Sequence, residues 1–307
     1  MNMTPCSTQT AKPVITEASL IPIDLRSNPN LRTIFTEGLK TAIRKCKDWE
    51  FDQSIDISEF EKISELILTD IDSLNNAYHN REHTEQVMKC VQLLVNMTKQ
   101  GLFSDSEKEL CKIAALFHDY EHCGHRYRQK AIKNETRSNE EVAAISADNF
   151  MQNILSTGQR IILQGLILST SFGQSIDALT NNGKNNSTEE LLNLSRPYKP
   201  HSNAEKLLAF ADIGRFILGP QIHFEGSLHL LRETKTIPSS FEDWIQSEKG
   251  FIEFVANRFD EIKDMLTPDG QKHVEAQLAE LKNFYNESII RDPKFREQYN
   301  SAIKTVQ

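Results

Sequence analysis

Histidines and acids that could bind a metal ion are concentrated in four short segments of the sequence. They are Tyr-His-Asn-Arg-Glu-His at 78–83, His-Asp-Tyr-Glu-His-Cys-Gly at 118–124, Asn-Glu-Glu at 139–141 and Ala-Asp at 211–212. Imidazole together with carboxylate suits Zn²⁺, Mn²⁺ or iron, whereas carboxylate with water suits Mg²⁺. Asp212 lies within an apolar run, where an unpaired carboxylate would be unfavourable. A cation that neutralises the acids is one explanation for the whole set.

Each of these features also has an ordinary explanation when it is taken alone. A His-Asp pair is usually a surface pair or a helix end, and His79 and His83 could lie on a solvated helix face. The helix dipole favours acids such as those at 140–141 in the first turn of any helix. Asp212 could be held by an arginine such as Arg215. The occurrence of all four segments in one chain favours the metal site.

The elements that must position these residues are predicted to be helices. Apolar residues recur at helical spacing from about residue 29, without the alternation typical of strands and without internal repeats. In this prediction Asn80 caps a helix whose first turn contains His83, and His118 and Asp119 lie at the C-terminal end of another helix. The 12 glycines and 10 prolines are fewer than a β-sandwich of this length would normally contain. The sequence therefore predicts an all-α fold.

The chain of 307 residues is long enough for one large domain or two small ones. Residues 1–28 are rich in Thr, Pro and Ser and lack periodicity, which predicts a loose N-terminal arm. We predict one catalytic domain over residues 29–307, interrupted by a polar loop insertion at about 181–203.

Composition disfavours several classes of protein. The net charge of −8 argues against a nucleic-acid-binding protein. No segment approaches the roughly 20 apolar residues of a membrane-spanning helix, and the N-terminus lacks the pattern of a secretory signal. The 5 cysteines are odd in number and show no CxxC spacing, which favours reduced thiols and a cytoplasmic location. The sequence favours no particular oligomeric state.

The order of these segments resembles that of the catalytic domain of class I cyclic nucleotide phosphodiesterases, within the HD phosphohydrolase superfamily. Residues 78–83 match the family's Tyr-His-Asn-x-x-His motif in full. Residues 118–124 match His-Asp-x-x-His-Pro-Gly, except that Cys123 replaces the proline. Residues 211–212 match an Ala-Asp after an apolar helix, and residues 247–252 resemble Ser-Gln-x-Gly-Phe-Ile. The segment at 139–141 is more similar to the bacterial HD branch.

The resemblance implies a role for each matching residue. The residues implied to ligate a tightly bound metal, expected to be Zn²⁺, are His83, His118, Asp119 and Asp212. Asp119 would bridge to a second metal, expected to be Mg²⁺ or Mn²⁺, whose waters His122 and Glu141 would orient. His79 would donate a proton. The residues implied to bind the substrate are Tyr78, Arg215, Glu248 and Phe251, with Phe251 stacking on the purine.

These residue types suit the hydrolysis of a phosphodiester, which is anionic and resists attack by neutral water. Two cations would clamp its oxygens and lower the pKa of a bridging water. A histidine that titrates near neutrality can protonate the leaving alkoxide, and His79 lies just outside the implied ligand set. The sequence does not identify the acid that holds His79 charged, although Glu141 is a candidate. We therefore predict hydrolysis of 3′,5′-cyclic nucleotides to 5′-nucleoside monophosphates by a metal-bridging hydroxide.

The expected purine pocket departs from the family's pattern. Glu248 replaces a glutamine, and a carboxylate can only accept hydrogen bonds, which gives a slight preference for guanine. Arg215 replaces an asparagine, and an Arg215–Glu248 ion pair could close or reshape the pocket. Phe251 lies in an apolar helix, where core packing would also explain it. These departures favour a first alternative, an HD-type phosphohydrolase acting on another nucleotide or an alarmone. A second alternative is a non-catalytic binding module in which the metal only stabilises the structure.

Overall fold

The structure is a computed structural model that describes residues 57–122, 139–171, 200, 202–235 and 237–306, with side chains from residue 63 onward. Within these ranges the elements are helices, and the extended pairing is limited to an isolated antiparallel bridge between Thr98 and Leu266. The predicted all-α class is confirmed. The arm predicted at 1–28 lies outside the described residues, as does nearly all of the loop predicted at 181–203.

The helices are named here in chain order. They are α1 (Ile57–Ser73), α2 (Arg81–Met97), α3 (Asp105–Phe117), α4 (Asn139–Met151), α5 (Thr157–Leu168), α6 (Asn203–Ile213), α7 (Pro220–Thr234), α8 (Phe241–Asp260), α9 (Pro268–Asn283) and α10 (Pro293–Lys304). A short 3-10 helix, Arg215–Leu218, links α6 to α7, and α9 continues through a π-helical turn at Phe284–Ser288. Among the described residues, no helix combines the length and apolarity needed to cross a bilayer.

Local sequence sets where the helices that carry the site begin. Asn80 is the N-cap of α2, as predicted, and its side chain accepts a hydrogen bond from the backbone N–H of His83. Three further helices begin at a capping box, in which a serine and a residue three positions later bond each other's backbone N–H groups. These pairs are Ser104–Glu107 in α3, Ser156–Gln159 in α5 and Ser202–Glu205 in α6. Each cap contributes about 1 kcal/mol and fixes the register of the residues that follow.

Two helices, α3 and α6, run through the centre of the hydrophobic core. Residues 113–117 of α3 and 207–211 of α6 are almost completely buried. Helices that are apolar on all faces are typical of such central positions. α6 packs against α2, α3 and α5, and α4 packs on α5. Because both central helices are surrounded, the residues at their ends are held firmly in place.

An aromatic cluster supports the helices of the C-terminal half. Trp244 of α8 lies with its ring centroid 5.6 Å from that of Phe224 in α7 and 5.2 Å from that of Tyr299 in α10. Tyr285, in the π-helical turn, is fully buried beside them. These contacts hold α7 and α8 against the remainder of the domain, and those two helices carry polar residues of the candidate site.

The start of α9 packs closely on the end of α2. The backbone N–H of Thr267 donates to the carbonyl of Met97 at 2.8 Å. A Cβ atom placed on Gly270 would lie 2.8 Å from the Cβ of Met97 and 2.9 Å from its carbonyl oxygen. Only a residue without a side chain fits at this position without displacing backbone.

We expect Gly270→Ala to lower the free energy of unfolding by about 1–3 kcal/mol, because the added methyl group overpacks this contact. Urea denaturation monitored by circular dichroism measures the change. Gly250→Ala in α8 is the matched control, since a Cβ there would meet no atom within 4 Å. The control should gain about 0.5–1 kcal/mol from improved helix propensity. Equal stability of Gly270→Ala and wild type would contradict the close approach.

Candidate active site

Three helices bring four of the predicted site residues to one point. His83 lies in the first turn of α2, Asp212 lies in the last turn of α6, and His118 and Asp119 directly follow α3. The Nε2 atom of His83 lies 3.2 Å from Asp212 Oδ1, 3.3 Å from His118 Nε2 and 3.3 Å from Asp119 Oδ2. The Nε2 atom of His118 lies 3.0 Å from Asp119 Oδ2 and 3.4 Å from Asp212 Oδ1. The ligand-type atoms of His83, His118 and Asp119 therefore form one tight group, and Asp212 joins it through its contacts with the two imidazoles.

The ring of His118 is oriented by the helix that precedes it. Its Nδ1 atom lies 2.8 Å from the carbonyl oxygen of Ala115, which can only accept a hydrogen bond. Nδ1 therefore carries a proton, and Nε2 faces the cluster, where its lone pair would be available to a bound cation. This pattern, with one imidazole nitrogen bonded to a carbonyl and the other directed at a common centre, is typical of histidines that ligate metals.

The cluster fits a divalent cation. Within the described part of the chain, the buried Oδ2 atom of Asp119 has no hydrogen-bond partner, although two imidazole nitrogens lie near it. At metal–donor distances of about 2.0–2.2 Å, neighbouring donors around one cation lie about 3.0–3.4 Å apart, which matches the spacing found here. Two carboxylates also supply the charge that balances a dication. His83, His118, Asp119 and Asp212 could hold such an ion together.

Electrostatics within the cluster are dominated by these opposite charges. Burial alone would raise the pKa of the Asp119 carboxyl, but the charges of His118 and His79 outweigh burial and lower that pKa. Burial would also raise the pKa of Asp212, and hydrogen bonds from His118 and His83 lower it instead. Both acids are therefore ionised in a buried place, and positive charge must accompany them.

A histidine–carboxylate pair lies beside the cluster. His79 precedes α2, and its Nδ1 atom contacts Oε1 of Glu233, which lies in the last turn of α7. The other oxygen of Glu233 accepts the backbone N–H groups of Tyr78 at 2.8 Å and of His79 at 3.0 Å. The ring of His122 stacks on the ring of His79, with 3.6 Å between centroids. Three bonds thus fix the Glu233 carboxylate, and the carboxylate fixes the imidazole.

This pairing keeps His79 protonated. Burial alone would lower the pKa of His79, but the carboxylates of Asp119 and Glu233 outweigh burial and raise it. Burial would likewise raise the pKa of Glu233, while the hydrogen bond and charge of His79 lower it to about 2. Because Glu233 binds Nδ1, the proton on Nε2 is the one available for transfer.

Glu233 is a functional residue that sequence reasoning missed. The sequence offered Glu141 as the acid near His79, but the carboxylate that contacts His79 is Glu233. One weak signal was present, since an acid in the last turn of a helix opposes the helix dipole and so indicates a specific partner. Glu141 lies partly buried in the first turn of α4, as predicted. Its role near a second metal stays a prediction.

The residues expected to form the purine pocket are paired differently from the sequence prediction. Oε2 of Glu248 lies 2.8 Å from Ser227 Oγ and 3.3 Å from both His223 Nε2 and Tyr285 Oη. No Arg215–Glu248 ion pair is present in the described structure, because Glu248 is held by these three groups. Burial alone would raise the pKa of Glu248, but His223 and Ser227 outweigh burial and lower it. The ionised form of Glu248 is therefore favoured.

Arg215 lies against an aromatic ring instead of an acid. Its guanidinium carbon is 4.6 Å from the centroid of the Tyr78 ring, a cation–π contact. The alternative in which Arg215 holds Asp212 is also wrong, because Asp212 contacts His83 and His118. Tyr78 in turn packs on the ring of His83, with 4.5 Å between centroids.

Phe251 lies on α8, partly buried against the hydrophobic core. Its ring is nearly parallel to that of His223, at 5.8 Å and 24°, and is 6.0 Å from that of Phe254. Packing therefore explains one part of this ring, and stacking on a purine stays a prediction.

Comparison with known proteins identifies the fold. No protein-family model matches the sequence, and no curated protein matches it. A crystal structure of the phosphodiesterase domain of a RhoPDE fusion protein from the choanoflagellate Salpingoeca rosetta is similar, with a TM-score of 0.53 and 18% identity over 88% of this chain and 95% of that chain. A crystal structure of the phosphodiesterase domain of Salpingoeca rosetta rhodopsin phosphodiesterase is also similar, with a TM-score of 0.52 and 18% identity over 92% and 94%. The chain therefore shares the fold of these phosphodiesterase domains.

We expect Asp212→Asn to weaken the binding of divalent metal by more than about tenfold, because it removes a negative charge and a donor oxygen from the cluster. Elemental analysis of protein dialysed against defined free Zn²⁺ or Mn²⁺ measures the loss. Asp148→Asn on α4 is the matched control, since Asp148 bonds Arg160 at 2.8 Å instead of the cluster. Metal retention by Asp212→Asn at the wild-type level would contradict the assignment.

Proposed function

We propose that this chain is a metal-dependent phosphodiesterase that hydrolyses 3′,5′-cyclic nucleotides to 5′-nucleoside monophosphates. The observation that carries the proposal is the position of the His79–Glu233 pair beside two imidazoles that lie 3.3 Å from each other and 3.0–3.4 Å from two carboxylates. The fold that the chain shares with phosphodiesterase domains supports the same class of reaction.

Four residues would hold the first metal, which we propose is Zn²⁺, and Asp119 would be shared with a second, Mg²⁺ or Mn²⁺. When bound, such ions neutralise phosphoryl oxygens and lower the pKa of a water molecule near neutrality. His122 and Glu141 would orient waters near the second ion. The chain contributes the placement of these groups, since the central helices α3 and α6 fix three of the four side chains that converge.

His79 would complete the reaction by protonating the leaving group. As the bond between phosphorus and the 3′ oxygen breaks, that oxygen takes the proton from Nε2 of His79. Glu233 holds Nδ1 and so orients the ring and stabilises its charged form before transfer. A partly buried imidazole whose pKa is raised by a bound carboxylate has no use in a purely structural metal site, which argues against a non-catalytic module.

One observation favours a second candidate, a phosphohydrolase acting on another nucleotide or an alarmone. Glu248 stands where the resemblance leads us to expect a glutamine, and three donors hold it as an anion. An anionic acceptor would bind N–H groups such as N1–H and the amino group of guanine. Guanine is therefore the base that we propose for the cyclic nucleotide, and a guanine nucleotide is the natural substrate of the second candidate.

Turnover of cyclic AMP and cyclic GMP by metal-replete protein tests the proposal directly. We expect 5′-nucleoside monophosphate without inorganic phosphate, with cyclic GMP preferred. His79→Ala should keep its metal and lose about 10²–10⁴-fold in rate, because it lacks the proton donor. Absence of turnover with both substrates would overturn the proposal. Release of inorganic phosphate from other guanine nucleotides would then support the second candidate.

The pH dependence of the rate tests the role of Glu233. A proton donor is active below its pKa, so the rate should fall as pH rises past the raised pKa of His79. Glu233→Gln removes the charge that helps to raise this pKa, and we expect the alkaline limb of the rate profile to move to lower pH. Glu225→Gln is the matched control on the same helix, because Glu225 is exposed and accepts from Gln221. An unchanged alkaline limb in Glu233→Gln would contradict the assigned pairing.

A further inference from the structure

A small polar cleft lies between the first turns of α2 and the middle of α7. Asn80, Glu82, His83 and Gln86 line it on one side, and Gly226 and His229 line it on the other. Arg215 also lines it, with the ring of Tyr78 against the guanidinium. The cleft opens to solvent, and its enclosed space of about 10 Å³ is what one water-sized group occupies. A small anion would therefore bind with part of it inside the cleft and the rest in solvent.

Arg215 is a buried cation without an ionic partner. Its side chain is only 5% exposed, and among the described residues it makes neither a hydrogen bond nor an ion pair. Arginine is almost never buried in this way unless it is paired. The cation–π contact with Tyr78 stabilises one face of the guanidinium but satisfies none of its five N–H donors. No nitrogen of Arg215 is among the fully buried polar atoms that lack a partner, so its donors reach the solvent-open cleft, where an anion can accept from them.

Gly226 makes the space in which the guanidinium lies. A Cβ atom on Gly226 would lie 1.8 Å from Nη1 of Arg215 and 2.2 Å from its central carbon. Any side chain at this position of α7 would displace the guanidinium. The guanidinium of Arg215 can therefore occupy its position only because residue 226 has no side chain.

The rest of the lining favours an anion that is bound with modest strength. The N-terminus of α2 presents the positive end of its dipole at the cleft. Burial, together with Arg232, lowers the pKa of His229, so this ring is neutral at pH 7 and supplies hydrogen bonds without charge. The carboxylate of Glu82 opposes an anion, but it is exposed at the rim and accepts a hydrogen bond from Gln86 at 3.1 Å. Solvent screens its repulsion.

We propose that this cleft binds one small oxyanion of the phosphate type, with Arg215 as the charged anchor. The planar fork of a guanidinium matches the oxygens of phosphate or sulfate in pairs, which a point charge does not. The cleft adjoins the cluster at His118 and Asp212, because His83 lines the cleft and belongs to the cluster. Anion binding at Arg215 is measured without turnover, so a failure of this proposal and a failure of cyclic nucleotide hydrolysis are distinguishable.

The experiment determines where the anion binds and how tightly it binds. Crystals of metal-replete protein are soaked in selenate, whose anomalous scattering marks its position, and sulfate and inorganic phosphate are titrated by calorimetry in parallel. We expect a selenate peak within hydrogen-bond distance of the Arg215 guanidinium. Binding of both anions should be about 10- to 100-fold weaker in Arg215→Met, which keeps the length of the side chain without its charge.

Two further variants distinguish the loss of the anion site from the loss of the fold. Gly226→Ala should weaken anion binding by displacing the guanidinium, and Glu82→Gln should strengthen it by removing the opposing charge. Arg215→Met should unfold at the same temperature with or without phosphate, whereas wild type should gain stability with it. Selenate absent from Arg215, or equal sulfate affinity in wild type and Arg215→Met, would overturn the proposal. A nucleotide 5′-phosphate that competes with sulfate would identify a bound phosphomonoester as the source of the group.

Discussion

Two buried carboxylates that face two buried imidazoles are the constraint on which the rest of this structure depends. Asp119 and Asp212 are ionised where the surrounding helices are apolar, and this state is stable only if positive charge lies between them. Residues 113–117 of α3 and 207–211 of α6, which lead to three of the four groups, are almost completely buried, and this packing holds the groups together. The hydrophobic core thus holds together charges that would otherwise move apart into water.

Helices in the C-terminal half of the described chain orient residues that lie beside this cluster. α7 brings Glu233 to His79, and the contact bridges residues 154 positions apart in the sequence. The same helix supplies His223 and Ser227 to Glu248 of α8, so one helix orients both His79 and the acid beside the expected pocket. The aromatic cluster around Trp244 fixes the relative positions of α7 and α8. Packing far from the metal cluster therefore determines the geometry of its partners.

Much of this arrangement could be predicted from sequence, because local signals and chemistry coincided. Asn80 as a cap, the helix ends at His118, and Asp212 in an apolar helix all follow from patterns within a few residues. Glu233 could not be found in this way, since its role depends on a contact between distant helices. The predicted Arg215–Glu248 pair was wrong for a related reason. Opposite charges suggested a direct contact, but His223, Ser227 and Tyr285 hold Glu248. The ring of Tyr78 lies against Arg215.

The direction in which the two central helices end has a consequence for substrate binding. α3 and α6 both present their carboxyl ends to the cluster, so their exposed carbonyl dipoles add negative potential to that of the two acids. A phosphodiester approaching this place without cations would be repelled. In the function that we propose, divalent ions would reverse the sign of the local field. Ion occupancy would then be a condition for binding the anionic substrate as well as for breaking its bond.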